Sequence, residues 1–216
     1  MPHSLPNLPA GVELIDSHCH LDEERFAPDR EAVIARAITA GVTTMVTVGA
    51  SNGLDTNFAA VAIAEAHESV FATVGIHPHD ARIVDDQIID ELRRLASHPK
   101  VVAIGETGLD YYYEHSSREQ QREAFRRFLC MAREFRLPCV VHLRDAYEDA
   151  IAIMKEERAT EIGGVIHCFS GDRANARDFL DLGFDLSFSG IVSFKNADEL
   201  RAAAAMVPAD RFMVET

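Results

Sequence analysis

No apolar run in the 216-residue sequence exceeds strand length, which leaves no candidate for a membrane-spanning helix. The first ten residues, M-P-H-S-L-P-N-L-P-A, also lack a basic start followed by an apolar core, so no secretory leader is expected. A soluble, cytoplasmic protein with no membrane partner is expected from the two together. The four cysteines, Cys19, Cys130, Cys139 and Cys168, show no C-x-x-C spacing, and Cys19 and Cys168 directly neighbour histidines, so free thiols in a reducing compartment are expected rather than a disulfide framework. Positive charge is scarce as well. Lys and Arg number 21 against 35 Asp and Glu, a formal net charge of −14, which argues against holding nucleic acid by a broad basic surface. It does not exclude an enzyme meeting a phosphate at a small site, because bound divalent ions invert the local field. The excess of acids reads as solvated helix faces. No Pro-, Gly- or Ser-rich linker divides the chain, so residues 1–216 are expected to form one domain, a monomer needing no obligatory protein partner.

What is present is alternation. Short apolar runs at Val12–Asp16, Thr43–Gly49, Val70–Gly75, Val101–Gly105, Cys139–His142, Gly164–His167, Phe184–Phe188 and Phe212–Glu215 read as strands. Amphipathic patterns at Asp29–Ala40, Thr56–His67, Asp85–Ser97, Arg118–Phe135, Ala146–Glu157, Arg173–Leu182 and Ala197–Met206 read as helices between them. Gly41 and Gly183 stand where helices would end; Asp29, Asp85, Ser117, Asp145 and Asp172 stand where helices would be capped. Short connections of this order force parallel strands with right-handed crossovers. The first and last strands are as apolar as the rest, which favours a closed (β/α)₈ barrel over an open doubly wound sheet. The sequence stops at Thr216, at the mouth of the eighth strand, so the expected barrel lacks its last helix.

In such a barrel the chemistry collects at the C-terminal ends of the strands. Val12–Leu21 reads V-E-L-I-D-S-H-C-H-L, and the two-residue period of a strand puts His18 and His20 on one face, able to share a metal ion. The fourth strand ends in Glu106, the fifth in His142 and the sixth in His167. Histidines gathered at three strand ends beside a lone glutamate are what a metal centre requires. Four histidines and a carboxylate exceed the needs of one ion, so two divalent ions bridged by Glu106 and a hydroxide are expected, with Mg, Mn, Zn or Fe left open. Two metals lower the pKa of a shared water and clamp both oxygens of an in-line displacement, which suits hydrolysis of an ester, most naturally a phosphodiester.

The segments D-S-H-C-H-L-D, V-G-I-H-P-H, G-E-T-G-L-D-Y-Y, L-P-C-V-V-H-L-R-D-A, G-V-I-H-C-F-S-G and R-F-M-V-E-T resemble, in order and spacing from about Leu14 onward, the signatures of the TatD-type metal-dependent deoxyribonucleases of the amidohydrolase superfamily. The resemblance implies a (β/α)₈ TIM barrel, a divalent metal site and DNA as substrate. It makes His18 and His20 ligands of one ion, Glu106 the shared ligand and catalytic carboxylate, and His142 and His167 ligands of the second. The family pattern continues as E-T-D, with its aspartate a ligand and general base, whereas this sequence ends at E-T. The resemblance therefore implies a chain of lowered activity; equal specific activity of the 216-residue chain and a longer one would refute that.

Around this set stand weaker candidates. His77 and His79, split by Pro78, are read either as substrate contacts and support for the ligands or as a turn that satisfies its own backbone. Arg144 is read as a bidentate phosphate contact at the rim, with a structural salt bridge as the competing view for Arg144 and Asp145. Tyr111, Tyr112 and Tyr113 offer stacking surfaces for bases or simply pack a loop. Asp16 either orients a ligand imidazole or caps the strand end. Alternation turns Cys19 and Cys168 away from the site, and His3, His67, His98 and His115 receive no role. The leading activity is exonucleolytic cleavage of single-stranded DNA. A small-molecule amidohydrolase, esterase or lactonase using the same centre is the rival enzyme, and an inactive scaffold binding a partner is the third reading.

Overall fold

The structure is a computed structural model that describes Pro9 and residues 11–215, so the expectations for the N-terminal leader and for His3 fall outside the described residues. Eight strands alternate with seven α-helices among the described residues: β1 (Leu14–Cys19), α1 (Arg30–Thr39), β2 (Val42–Gly49), α2 (Leu54–Ala66), β3 (Val70–Val74), α3 (Asp86–Ala96), β4 (Val101–Asp110), α4 (Arg118–Phe135), β5 (Cys139–Arg144), α5 (Tyr147–Glu156), β6 (Gly164–His167), α6 (Arg173–Asp181), β7 (Phe184–Phe188), α7 (Asp198–Ala204) and β8 (Phe212–Val214). All neighbouring strands pair in parallel in the order β1 to β8, the (β/α)₈ arrangement the alternation implies. The sheet curls without a hydrogen-bonded ladder between β8 and β1 among the described residues. At that seam Leu14, Ile15 and Val214 are exposed, Val214 to 72%. Closure inferred from the apolar character of the end strands is thus not realised as backbone pairing, because β8 carries only three residues and its one ladder runs to β7.

Helix starts follow the sequence with two exceptions. Asp85 accepts from Ile88 N–H at 2.9 Å, Asp172 accepts from Ala174 and Asn175, and Ser117 forms a reciprocal capping box with Gln120. Each such cap satisfies helix donors that have no intrahelical partner, stabilising by about 1 kcal/mol. Asp29 holds the capping position without a side-chain bond, and Ala146 rather than Asp145 precedes α5. The apolar positions Ile89, Leu92, Leu95 and Ala96 of α3 recur at helical spacing and are buried, as are Phe125, Phe128 and Leu129 of α4. Each ring or branched chain so buried contributes roughly 1.5–3 kcal/mol. No helix among the described residues is long and apolar enough to cross a membrane.

Two local devices fix the strand ends that matter. Asn57 in α2 is fully buried and grips Gly75, accepting from its N–H and donating to its carbonyl, both at 2.9 Å; this sets the direction in which the chain leaves β3 toward His77. In β4 the segment Gly105-Glu106-Thr107-Gly108 lies so close to β5 that a Cβ at Gly108 would stand 2.1 Å from the His142 carbonyl oxygen and one at Gly105 2.3 Å from that of Val140. Both glycines also have φ near +140°, which side chains other than glycine's rarely adopt. The two glycines press Glu106 against β5. They also carry β4 on to Asp110, five residues past the end that hydrophobicity marks.

Candidate metal centre

Glu106 is 4% exposed and stands among imidazoles from four other parts of the chain. Its Oε1 lies 3.1 Å from His142 Nδ1 of β5, 3.6 Å from His77 Nε2 after β3 and 3.7 Å from His167 Nε2 of β6. Its Oε2 lies 3.5 Å from His18 Nε2 of β1. The His18 and His167 rings stack with centroids 3.6 Å apart. Two groups therefore have ligand atoms within 4.8 Å of one another, His18–Glu106–His167 and His77–Glu106–His142, and Glu106 belongs to both.

His20 is outside both groups, with its ring centroid 5.2 Å from that of His18. Hydrogen bonding separates His20 from His77 more sharply than distance does. His20 Nδ1 lies 3.2 Å from the Val48 carbonyl, which can only accept, so a neutral ring carries its proton on Nδ1 and has its lone pair on Nε2. His77 is in the opposite state. Its Nδ1 accepts the His79 N–H at 3.2 Å, so a neutral ring carries its proton on Nε2, facing Glu106. His20 is thus a ring prepared to ligate, and His77 a donor aimed at the shared carboxylate.

The remaining rings have partners for their outer nitrogens. His167 Nδ1 donates to Glu215 Oε2 at 2.8 Å, and His142 Nε2 donates to Asp110 Oδ2 at 3.1 Å. A carbonyl or carboxylate behind each imidazole is the arrangement that orients metal-ligating histidines and raises their basicity. His18 Nε2 completes the case for an ion: it is buried and well bonded to nothing among the described residues, with Glu106 Oε2 standing off at 3.5 Å. A nitrogen in that state beside a carboxylate fits a divalent cation, and the mixed histidine and carboxylate donor set suits Zn, Mn or Fe.

Charge follows the same layout. Burial pushes the Glu106 carboxyl upward, but the His142 bond and the imidazoles around it outweigh burial and hold it well below the usual carboxylate range. Burial drives His77 down to about 3 against the pull of Glu106, so this ring is neutral at physiological pH. Burial acts on His142 too, yet Asp110 and Glu106 overcome it and raise that ring to about 9. With no ion bound, His142 is protonated at neutral pH. Loading a divalent ion onto its Nδ1 must expel that proton, so Mn(II) titrated into weakly buffered, metal-free protein at pH 7 releases acid. The apparent affinity rises from pH 6.5 and levels off above about 9. A binding curve unchanged across that window, followed by pH-stat and calorimetric titration, would remove His142 from the ligand set.

The centre opens into a cavity of ≈ 560 Å³ walled by His20, His77, His79, Arg82, His115 and Glu106 among others. His79 is held by Asp110 at 3.0 Å, and Arg82 reaches back to the His79 carbonyl at 2.8 Å while its side chain stays half exposed. Arg144 is not in the wall of this cavity; its guanidinium lies 3.9 Å over the ring of Tyr112 and 4.9 Å over that of Tyr113. Asp16 accepts the His18 N–H at 3.2 Å and so caps the strand rather than orienting a ring. Cys139 is buried, and all four cysteines are free. Sequence reading passed over Asp110 and Glu215. Asp110 shares the face of Glu106 at the two-residue strand period, a signal hidden by the pair of glycines.

Comparison with known proteins gives the family. The sequence profile of the family described as TatD related DNase matches residues 15–216. An uncharacterized metal-dependent hydrolase, YcfH of Escherichia coli (strain K12), is 43% identical over 206 residues, which cover 94% of this chain and 76% of that protein. A protein of Cronobacter turicensis named 3'-5' ssDNA/RNA exonuclease TatD is 37% identical over 204 residues, covering 94% and 77% of the two chains. The crystal structure of YJJV, a TatD homologue from Escherichia coli K12, superposes with a TM-score of 0.86 at 29% identity, over 94% of this chain and 78% of that one. Strand order, the histidine and glutamate cluster and a profile spanning nearly the whole sequence lead to one assignment: the chain belongs to the TatD related DNase family of metal-dependent hydrolases.

Proposed function

We propose that the protein hydrolyses phosphodiester bonds of single-stranded DNA from a strand end. The observation that carries this reading is the carboxylate shared between two histidine groups, which is how one protein residue holds two cations side by side. Glu106 would be the ligand common to the two ions; the family pattern puts His18 and His20 on one and His142 and His167 on the other, whereas in the structure His167 groups with His18 and His142 with His77. When bound, the ions supply the Lewis acidity that acidifies a water and neutralises a phosphate. The chain's own groups do the rest. Asp110 and Glu215 orient His142 and His167, and the neutral His77 offers its Nε2 proton at the cavity wall. His79 and Arg82 line the approach, where cationic and N–H donors meet a phosphate backbone, while Arg144 stands outside that wall over the Tyr112 ring. The name of the Cronobacter relative, an exonuclease of single-stranded DNA and RNA, supports the same substrate class.

The test is release of nucleotides from an end-labelled single-stranded oligonucleotide with added Mg or Mn. Cleavage is expected to stop with a chelator and in His18→Ala, which removes the buried unpartnered nitrogen. Turnover of lactones or carboxylic esters without attack on DNA would overturn the proposal in favour of a small-molecule hydrolase.

A further inference from the structure

The three consecutive tyrosines after β4 do not behave alike. Tyr111 is tied down: its hydroxyl donates to Asp149 at 2.6 Å, and Arg118 lies over its ring. Tyr112 and Tyr113 are 59% and 51% exposed. Their rings meet edge to face in a corner, centroids 4.8 Å apart, with the Arg144 guanidinium over both and the His115 ring parallel to that of Tyr113 at 5.7 Å. Rigidity comes from below. Asp110 Oδ1 accepts the backbone N–H groups of both tyrosines, at 3.0 and 2.9 Å, while Oδ2 of the same carboxylate holds His142 and His79. One buried carboxylate thus sets the corner and a metal-centre imidazole at a fixed offset. Tyr113 also stands edge-on to His79, centroids 5.5 Å apart, and His79 lines the cavity over Glu106.

Two exposed phenol rings whose backbone is fixed by Asp110, one of them beside His79 of the cavity wall, lose little entropy on meeting a flat ligand. Net charge gives them a task. A chain of −14 gains little from long-range attraction to a polyanion, so contacts that do not depend on charge add to what the cavity's own cationic donors give a strand. Aromatic stacking is such a contact, and it tolerates any base because every base has a π-face. We propose that Tyr112 and Tyr113, backed by Arg144, are the stacking platform for a nucleobase of the strand whose phosphate enters the metal centre. The proposal takes its ligand from the nuclease reading above. It makes base stacking, rather than a phosphate contact, the main task of this part of the rim.

The test uses a fluorescein-labelled oligothymidylate and the same oligomer with abasic units in place of its terminal nucleotides. Anisotropy without divalent ions gives Kd, and cleavage with Mn gives KM and kcat. The parent protein is expected to bind the abasic oligomer about tenfold more weakly than the intact one. Tyr112→Ala/Tyr113→Ala raises Kd and KM for intact DNA by a similar factor, moves kcat less, and abolishes the difference between the two oligomers. Tyr112→Phe/Tyr113→Phe keeps the rings and restores the parent values. Equal affinity of the parent for both oligomers, or no binding of either, overturns the platform, and the parent needs no variant to fold for that result. Tyrosine-dependent binding without cleavage would overturn the nuclease reading alone; cleavage with tyrosine-independent affinity would overturn the platform alone.

Discussion

Glu106→Gln is expected to lower kcat/KM by at least about 10³-fold, equivalent to roughly 4 kcal/mol of lost transition-state stabilisation, and to strip divalent ions from the purified protein. The side chains are nearly isosteric, so packing against β5 survives while the charge goes. That charge is what the surrounding imidazoles have in common. Both oxygens of Glu106 face histidine nitrogens, Oε1 toward His142, His77 and His167 and Oε2 toward His18. A glutamine presents one carbonyl oxygen and one NH₂, and the NH₂ meets either the buried His18 nitrogen or the three rings on the other side. Neither face can then complete a cation's coordination. Loss of the carboxylate also removes one of the two groups that raise His142, so the His142 ring becomes easier to deprotonate in the metal-free state. Metal content by atomic emission, with kcat/KM on the same preparation, checks both halves. A glutamine variant that kept its ions and its rate would show that Glu106 is a buried ion-pair partner and not the shared ligand.

The sequence makes Glu106 conspicuous for a physical reason: an acid directly after V-V-A-I-G, an apolar strand run, has few places to be except a site. His18, His142 and His167 are legible on the same ground. The strands and most helix caps are equally plain, because period-two apolar runs and Asp or Ser caps are local signals. Asp110 and Glu215 are hidden because their meaning is relational. Asp110 follows a pair of glycines that breaks the hydrophobic pattern, although the glycines are what let β4 continue alongside β5. Glu215 acquires its role only when β8 pairs with β7 and sets its carboxylate against His167, 48 positions earlier in the chain. The contrast between His20 and His77 is similarly invisible beforehand, since it depends on which ring nitrogen meets the Val48 carbonyl and which meets the His79 amide. Tyr111, Tyr112 and Tyr113 are identical letters in sequence, separated only by where β4 stops and by Asp149 on a neighbouring helix.

Asp110→Asn is expected to lower kcat by about 10- to 100-fold while leaving KM for DNA near that of the parent. The reason lies in how one carboxylate divides its two oxygens. Oδ1 accepts the Tyr112 and Tyr113 amides, and an asparagine oxygen does that equally well, so the tyrosine corner stays in place. The NH₂ that replaces Oδ2 then faces His142 Nε2 and His79 Nε2, both donors in the parent protein. Two donors facing each other repel, and His142 loses the acceptor that fixes its tautomer and raises its basicity. Asp110 is 1% exposed, so water cannot substitute for that acceptor at little cost. Asp110→Ala removes both functions, and with it KM rises as the platform is released. A residue that served only to stabilise the fold would move kcat and KM together in the two variants and would lower Tm in proportion. Steady-state kinetics on single-stranded DNA, with Mn affinity measured on the same proteins, separates these cases: unchanged kcat in Asp110→Asn would deny Asp110 its positioning role, whereas a kcat loss in Asn joined by a KM rise only in Ala ties the metal centre and the rim to this one carboxylate.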